Sequence, residues 1–131
     1  MIIFLSKYKS IFYSANIFLI VLYLFPGSIL GYFLYGNHKI QPQITSDFLV
    51  SSNHVYAFFL LSILGILSFK NSEKHNFLII YLLLLSIILE IFHLIIPERG
   101  FEFSDLFGNL VGVFIAIIIN YFYGKYENFE K

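Results

Sequence analysis

Glu90 and His93 stand three residues apart, about one helical turn, and are the side chains here best suited to passing a proton. A carboxyl and an imidazole are the groups most used for general acid–base work. Downstream follow Arg99, Asp105 and Asn109, and upstream a second imidazole, His54. Arg99 is the only arginine in the chain. It is always charged and grips a carboxylate or phosphate with paired hydrogen bonds. Glu90 is its natural partner, and Asp105 competes for it. Glu90, His93, His54 and Asp105 are also nitrogen and oxygen donors of the kinds zinc accepts. E-x-x-H spacing alone is a weak motif, however, and H-E-x-x-H is absent. The sequence therefore assigns no metal and no cofactor. Cysteine is absent, which removes thiolate catalysis and Cys-ligated metals. No nucleophile constellation or phosphate-cradling glycine loop accompanies the set. His54, Glu90, His93, Arg99, Asp105 and Asn109 are read as ligand-binding candidates, with Glu90 and His93 the catalytic candidates.

The elements that must carry these residues are greasy. Apolar residues make up 59% of the 131, aromatics 21% and charged residues 12%, where globular proteins have about 25% charged. That composition predicts an integral membrane protein forming a single domain, residues 1–131. A formal charge of zero argues against a nucleic-acid partner. Apolar runs of about 20 residues, enough for a ~30 Å hydrocarbon core, predict an all-α polytopic fold. Its four transmembrane helices fall at about 10–28, 48–69, 76–96 and 105–123. The first run follows Lys7 and Lys9 as a signal peptide would, but no A-x-A-like site follows it. An uncleaved span, kinked or ended near Pro26, is expected. The stretches 36–47, 70–76 and 97–104 read as loops, with Gly100 free for positive φ and His38 and His75 solvated.

With four spans, Lys7, Lys9, Lys70, Lys74, Lys125 and Lys131 share one side, against Lys39 and Arg99 on the other. The positive-inside rule then places both termini in the cytoplasm. It also gathers His54, Glu90, His93, Arg99, Asp105 and Asn109 at the outer leaflet. On the third helix Glu90 lies six residues from the expected end, about 9 Å deep, with His93 a turn above and Ser86 a turn below. A carboxylate in a membrane helix costs up to about 2.5–3.5 kcal/mol, so it must be paired, hydrated or protonated. Asp105 is open between a site role and capping the fourth helix beside Ser104. Asn109 and His54 are open between site roles and interhelical hydrogen bonding. Gly108, Gly112 and Ala116 form a small-residue stripe that reads as helix packing, and Ser62 and Gly65 read likewise.

A helix bearing Glu90, then Pro97-x-Arg99-x-Phe101, then Asp105-x-x-x-Asn109-x-x-Gly112 resembles the VanZ-like family of small bacterial membrane proteins. The likeness covers about residues 47–120. His54, followed by Tyr56, Ala57 and Phe58, resembles that family's upstream D-K-x-x-H element. Val50 and Ser51 stand where its Asp and Lys would be, and His93 replaces its usual glutamine. The family is named for a member conferring low-level teicoplanin resistance. The resemblance implies a bacterial cell membrane, with membrane lipids as partners. It also implies an envelope role through a lipid head group, cell-wall precursor or glycopeptide-like ligand held in the outer pocket. A non-enzymatic binding role leads. The alternatives are an intramembrane enzyme on a lipid-linked substrate with Glu90 as acid/base, and a structural protein without ligand. A transporter does not fit, because the chain has no internal repeat.

Overall fold

The computed structural model describes residues 2–129, with side chains from residue 8 onward. Lys131 and the side chain of Lys7, both used above for orientation, lie outside the described set. The described residues are all-helical. They form α1 (Ile2–Leu24), α2 (Ile29–Tyr35), α3 (Ser52–Phe69), α4 (His75–Phe92) and α5 (Phe103–Phe129). Three helices, α3, α4 and α5, are long and apolar enough to cross a membrane. A fourth crossing arises if α1 and α2, bent by 83° to one another, count as one broken span.

The α1–α2 break lies where Pro26 places it. Proline has no N–H to donate and pushes the residue before it out of the helical region, so α1 stops at Leu24. Gly27 then takes φ 83°, a conformation that carries no Cβ penalty for glycine. Ser28 caps α2 by accepting from the Gly31 N–H at 2.9 Å. α2 ends on Gly36, φ 65°, whose N–H returns to Gly31 and Tyr32 carbonyls. The expected first span thus ends at the proline, and a short helix of seven residues, which the apolar pattern does not foretell, leaves at a steep angle.

Other boundaries also differ from those expected, two of them for identifiable reasons. The second long helix starts at Ser52 rather than near residue 48. Residues 42–53 are instead tied by side chains that compete with helical bonds: Asp47 Oδ1 accepts from Ser52 N at 2.8 Å, and Asn53 Nδ2 donates to Pro42 O at 2.6 Å. The third ends at Phe92, not Ile96. Its last turn tightens into three-residue bonds, such as His93 N to Glu90 O at 3.0 Å, as the chain approaches Pro97. Beyond it, Glu98 rather than Gly100 takes the positive φ, at 60°. α5 starts at Phe103 and continues to Phe129, well past residue 123.

The bundle has two distinct ends. At one, Ser68 Oγ donates to Tyr8 O and Lys70 Nζ meets Glu127 Oε2 at 2.8 Å. That gathers the beginning of α1, the α3–α4 turn and the end of α5. At the other, Ser51 N donates to Ser104 O at 3.1 Å, joining the starts of α3 and α5. Between them Phe58, Leu82, Val113 and Ala116 are fully buried, alongside the polar Ser62, Ser86, Glu90 and Asn109. Phe18, Leu60, Ile80 and Ile118 face outward and exposed. Apolar outside and polar inside is the reverse of a water-soluble surface, and suits lipid contact.

The small-residue stripe brings α3 and α5 together. A Cβ on Gly108 would stand 2.7 Å from Ser51 O, and one on Gly112 2.5 Å from Val55 O and 2.8 Å from Phe59 N. Both obstacles are backbone, which cannot swing aside. Gly112→Ala is therefore expected to destabilise the fold by about 1–3 kcal/mol, whereas Gly124→Ala, with nothing within 4 Å, leaves it unchanged or slightly firmer. Thermal unfolding in detergent reads the contrast. Equal midpoints for the two variants would remove the close-packing account.

Candidate functional site

The site forms at the end of the bundle where α1 and α4 finish and α3 and α5 begin. Each helix brings one or two polar side chains because its boundary falls there. Tyr23 is in the last turn of α1, His54 in the first turn of α3, Glu90 in the last turn of α4, and Asp105 and Asn109 in the first two turns of α5. His93 follows α4 directly, and Arg99 lies in the loop before α5.

Asn109 is the hub. Its Nδ2 donates to Ser86 O at 3.0 Å, which fixes the orientation of the amide. Its Oδ1 then accepts from Tyr23 Oη at 2.7 Å and from His54 Nδ1 at 2.8 Å. His54 therefore carries a proton on Nδ1, also 3.1 Å from Tyr23 Oη, and turns Nε2 away from the network. That nitrogen faces Asp105 Oδ2 at 3.4 Å. The interhelical reading of Asn109 and the site reading of His54 are parts of one network. Asp105 is the third residue of α5, in its first turn, where a carboxylate complements the helix dipole. The earlier start of α5 leaves neither it nor Ser104 at the cap position.

Glu90 is fully buried. Its Oε1 accepts the Glu102 N–H at 3.1 Å. Oε2 lies 3.2 Å from His93 Nδ1, an ion pair when that imidazole is protonated, and makes no other hydrogen bond. His93, also buried, donates Nε2–H to Tyr23 O at 3.0 Å and stacks its ring on that of Tyr23, centroids 5.7 Å apart.

Arg99 does not pair with Glu90. It donates Nη2–H to Leu22 O at 2.7 Å and Nε–H to Phe25 O at 3.2 Å. The reason is Pro26: the Leu22 carbonyl is the one whose helical partner would have been the N–H that proline lacks. Arg99 and His93 thus close the open carbonyls of α1, where a cation is also favoured by the dipole. Burial pushes the Arg99 guanidinium below its ordinary pKa, opposed by nearby Tyr23, Glu90 and Asp105, and it stays a cation. His38 is exposed, as expected, and also meets Glu98 Oε2 at 2.8 Å.

Above this network lies a polar cavity of about 530 Å³ lined by His54, His93, Arg99, Asp105, Lys39 and Asp47 among others. Beside it a second of about 410 Å³ is lined mainly by apolar residues, including Leu22, Ile29, Leu34, Ala57 and Leu60. His54, His93 and Arg99 belong to both walls.

All six ligand-binding candidates from the sequence converge here, while Gly108, Gly112 and Ala116 serve packing. Tyr23 was missed, because a tyrosine near the end of an apolar run reads as an interfacial anchor. The unpaired Leu22 carbonyl was legible in principle, four residues before Pro26. No protein-family model, curated protein or solved structure matches this chain.

Replacing Arg99 by Gln should cost about 1 kcal/mol by leaving the part-buried Leu22 carbonyl without a charged donor. In a Pro26→Ala background, where residue 26 offers Leu22 its own N–H, the same replacement should cost less. A double-mutant cycle on thermal unfolding measures this coupling, and strict additivity would refute the capping role.

Proposed function

We propose that this chain is a four-span, VanZ-like protein of the bacterial cell membrane, with both termini cytoplasmic, that binds an envelope amphiphile at its outer face. The observation that carries the reading is the pair of adjoining cavities. A polar chamber and an apolar one share His54, His93 and Arg99 as a common wall. A lipid head group or lipid-linked cell-wall precursor has the matching halves. Its polar part would meet Arg99, Lys39, Gln41 and Gln43, and its chain would lie along Leu34, Ala57 and Leu60. Sites for small molecules combine apolar walls with a few convergent polar groups in this way.

The orientation is supported by Lys70, Lys74 and Lys125 lying toward one end of the chain's fold and Lys39 and Arg99 toward the other. The likeness to VanZ-like sequences adds an expected role in tolerance to glycopeptides such as teicoplanin. Binding of the precursor, or of the drug itself by its polar face, would produce it.

Purified protein should retain an envelope lipid through mild detergent, seen as a mass adduct in native mass spectrometry. Leu60→Trp, which fills the apolar chamber from its rim, and Lys39→Ala, which removes a cation from the polar one, should both deplete the adduct while the thermal midpoint holds. Unchanged adduct in both variants would sink the binding reading. Deletion of the gene is expected to lower teicoplanin tolerance, restored by wild type and not by Leu60→Trp.

One arrangement favours an enzymatic alternative: the buried Glu90 lies 3.2 Å from His93, which lines the polar cavity. On that reading Glu90 exchanges a proton with a bound lipid-linked substrate. It requires turnover by the purified protein that is lost in Glu90→Gln with binding retained.

A further inference from the structure

A different property of the same region concerns what the polar floor itself holds. One ring nitrogen of His54 and one carboxylate oxygen from each of Glu90 and Asp105 all lie within 4.8 Å of one another. They come from α3, α4 and α5, so the cluster exists only in the folded bundle. We infer that His54, Glu90 and Asp105 form a binding site for a divalent transition-metal ion such as Zn²⁺ or Mn²⁺.

Three observations carry the inference beyond proximity. The first is the histidine tautomer. Asn109 Oδ1 takes the Nδ1–H at 2.8 Å, so Nε2 offers a lone pair, and what it faces at 3.4 Å is a carboxylate oxygen of Asp105. Two acceptors directed at one another repel unless a cation or an added proton lies between them. Metal-ligating histidines are held in this manner, the far nitrogen donating to an oxygen that sets the ring. The second is Glu90. Its side chain is fully buried and Oε2 makes no hydrogen bond; the polar atom it meets is His93 Nδ1 at 3.2 Å, on a ring whose Nε2–H already goes to Tyr23 O. A buried carboxylate oxygen left so is costly, and a metal bond removes the cost. The third is charge. Glu90, Asp105 and the nearby Glu102 outnumber the guanidinium of Arg99, which is itself occupied by the α1 carbonyls.

The donor set matches the ion class. One imidazole with two carboxylates suits Zn²⁺ and Mn²⁺ better than Ca²⁺, which takes oxygen alone. Ligands ~2.0–2.2 Å from an ion stand about 3–3.5 Å from one another, and His54 Nε2 to Asp105 Oδ2 is already in that range. Three protein ligands also leave a coordination position open. His54 and Asp105 line the 530 Å³ cavity, while Glu90 is fully buried and lines neither cavity, so an ion held by the three would sit at the chamber's edge. There the ion would attract the phosphate or carbonyl oxygens of whatever enters.

The probe is the metal alone, which keeps this inference separate from amphiphile binding. Full-length protein in detergent, stripped with chelator and dialysed, is titrated with Zn²⁺ and Mn²⁺ by calorimetry, with bound metal counted by elemental analysis. One ion per chain is expected, with a rise in thermal midpoint. His54→Ala and Asp105→Asn should each weaken binding at least tenfold, and Asn109→Leu, which frees the ring, should weaken it less. His75→Ala, at the opposite end of the bundle, should bind as wild type. Glu90→Gln is the sharpest variant. Should it fail to fold, Co²⁺ loaded into the wild-type protein reports the same ligands by its visible absorption. Binding that is unsaturable, or equal in wild type, His54→Ala and Asp105→Asn, overturns the site, as does a cobalt spectrum of the hydrated ion.

Discussion

Inside an apolar bundle every polar group must find its partner within the protein, and in this chain the requirement falls mainly on one amide. Asn109 of α5 bonds Tyr23 of α1, His54 of α3 and the Ser86 carbonyl of α4. A single side chain thereby touches each of the other long helices. Hydrogen bonds of this kind in membrane bundles average only about 0.6 kcal/mol when measured pairwise. Leaving the same groups unmatched costs more, about 1–3 kcal/mol each. The network therefore acts chiefly through what it forbids. A shift of any helix along its axis would strand a buried donor or acceptor, so the polar contacts fix a register that apolar packing alone would leave loose.

Gly108 and Gly112 make that network reachable. Neither has a side chain to hold α3 away, and the backbone of α3 at Ser51 and Val55 comes within contact of where their Cβ atoms would be. Asn109 sits between them on the helix, and the close approach lets its short amide meet His54 directly. The stripe and the amide are thus one device, in which the glycines set the distance and the asparagine sets the alignment. At the same end, Pro26 opens the last turn of α1, and Arg99 and His93 fill the opening. The helix break is what turns two potential site cations into structural donors and frees the wall they share to border both cavities.

How much of this was legible in the sequence varies with the range of the interaction. Long apolar runs announced the four hydrophobic segments, and i, i+4 spacing placed Asp105 and Asn109 on one stripe. The proline announced the end of α1. What local pattern did not carry was partner choice. Arg99 and Glu90 are the obvious charge pair in one dimension, yet the guanidinium goes to Leu22 and Phe25, whose carbonyls are unfilled only because of a residue far away in sequence. The α2 helix was invisible for a similar reason. Its steep departure depends on Gly27 at positive φ and on Gly31 lying against the Ile40 carbonyl, a contact made by residues folding back over it. Tyr23 was hidden by its type, since tyrosine beside an apolar run has an ordinary interfacial explanation.

The reassignment of Arg99 changes the electrostatics of the whole site. Had it paired with Glu90, that carboxylate would have been matched by a fixed cation and only Asp105 would face His54 without one. Instead Arg99 gives its donors to carbonyl dipoles, while Glu90 has one oxygen on the Glu102 amide and the other, without a hydrogen bond, beside His93 Nδ1. His54 is simultaneously turned by Asn109 so that Nε2 points toward Asp105. The same hydrogen bonds that align the four helices therefore concentrate electron-pair donors at one point and direct them toward a cavity. A network serving stability alone would have been expected to satisfy those atoms internally. Their convergence is what the inferred cation site rests on: an imidazole and two carboxylates from three helices, held together by the contacts that align those helices.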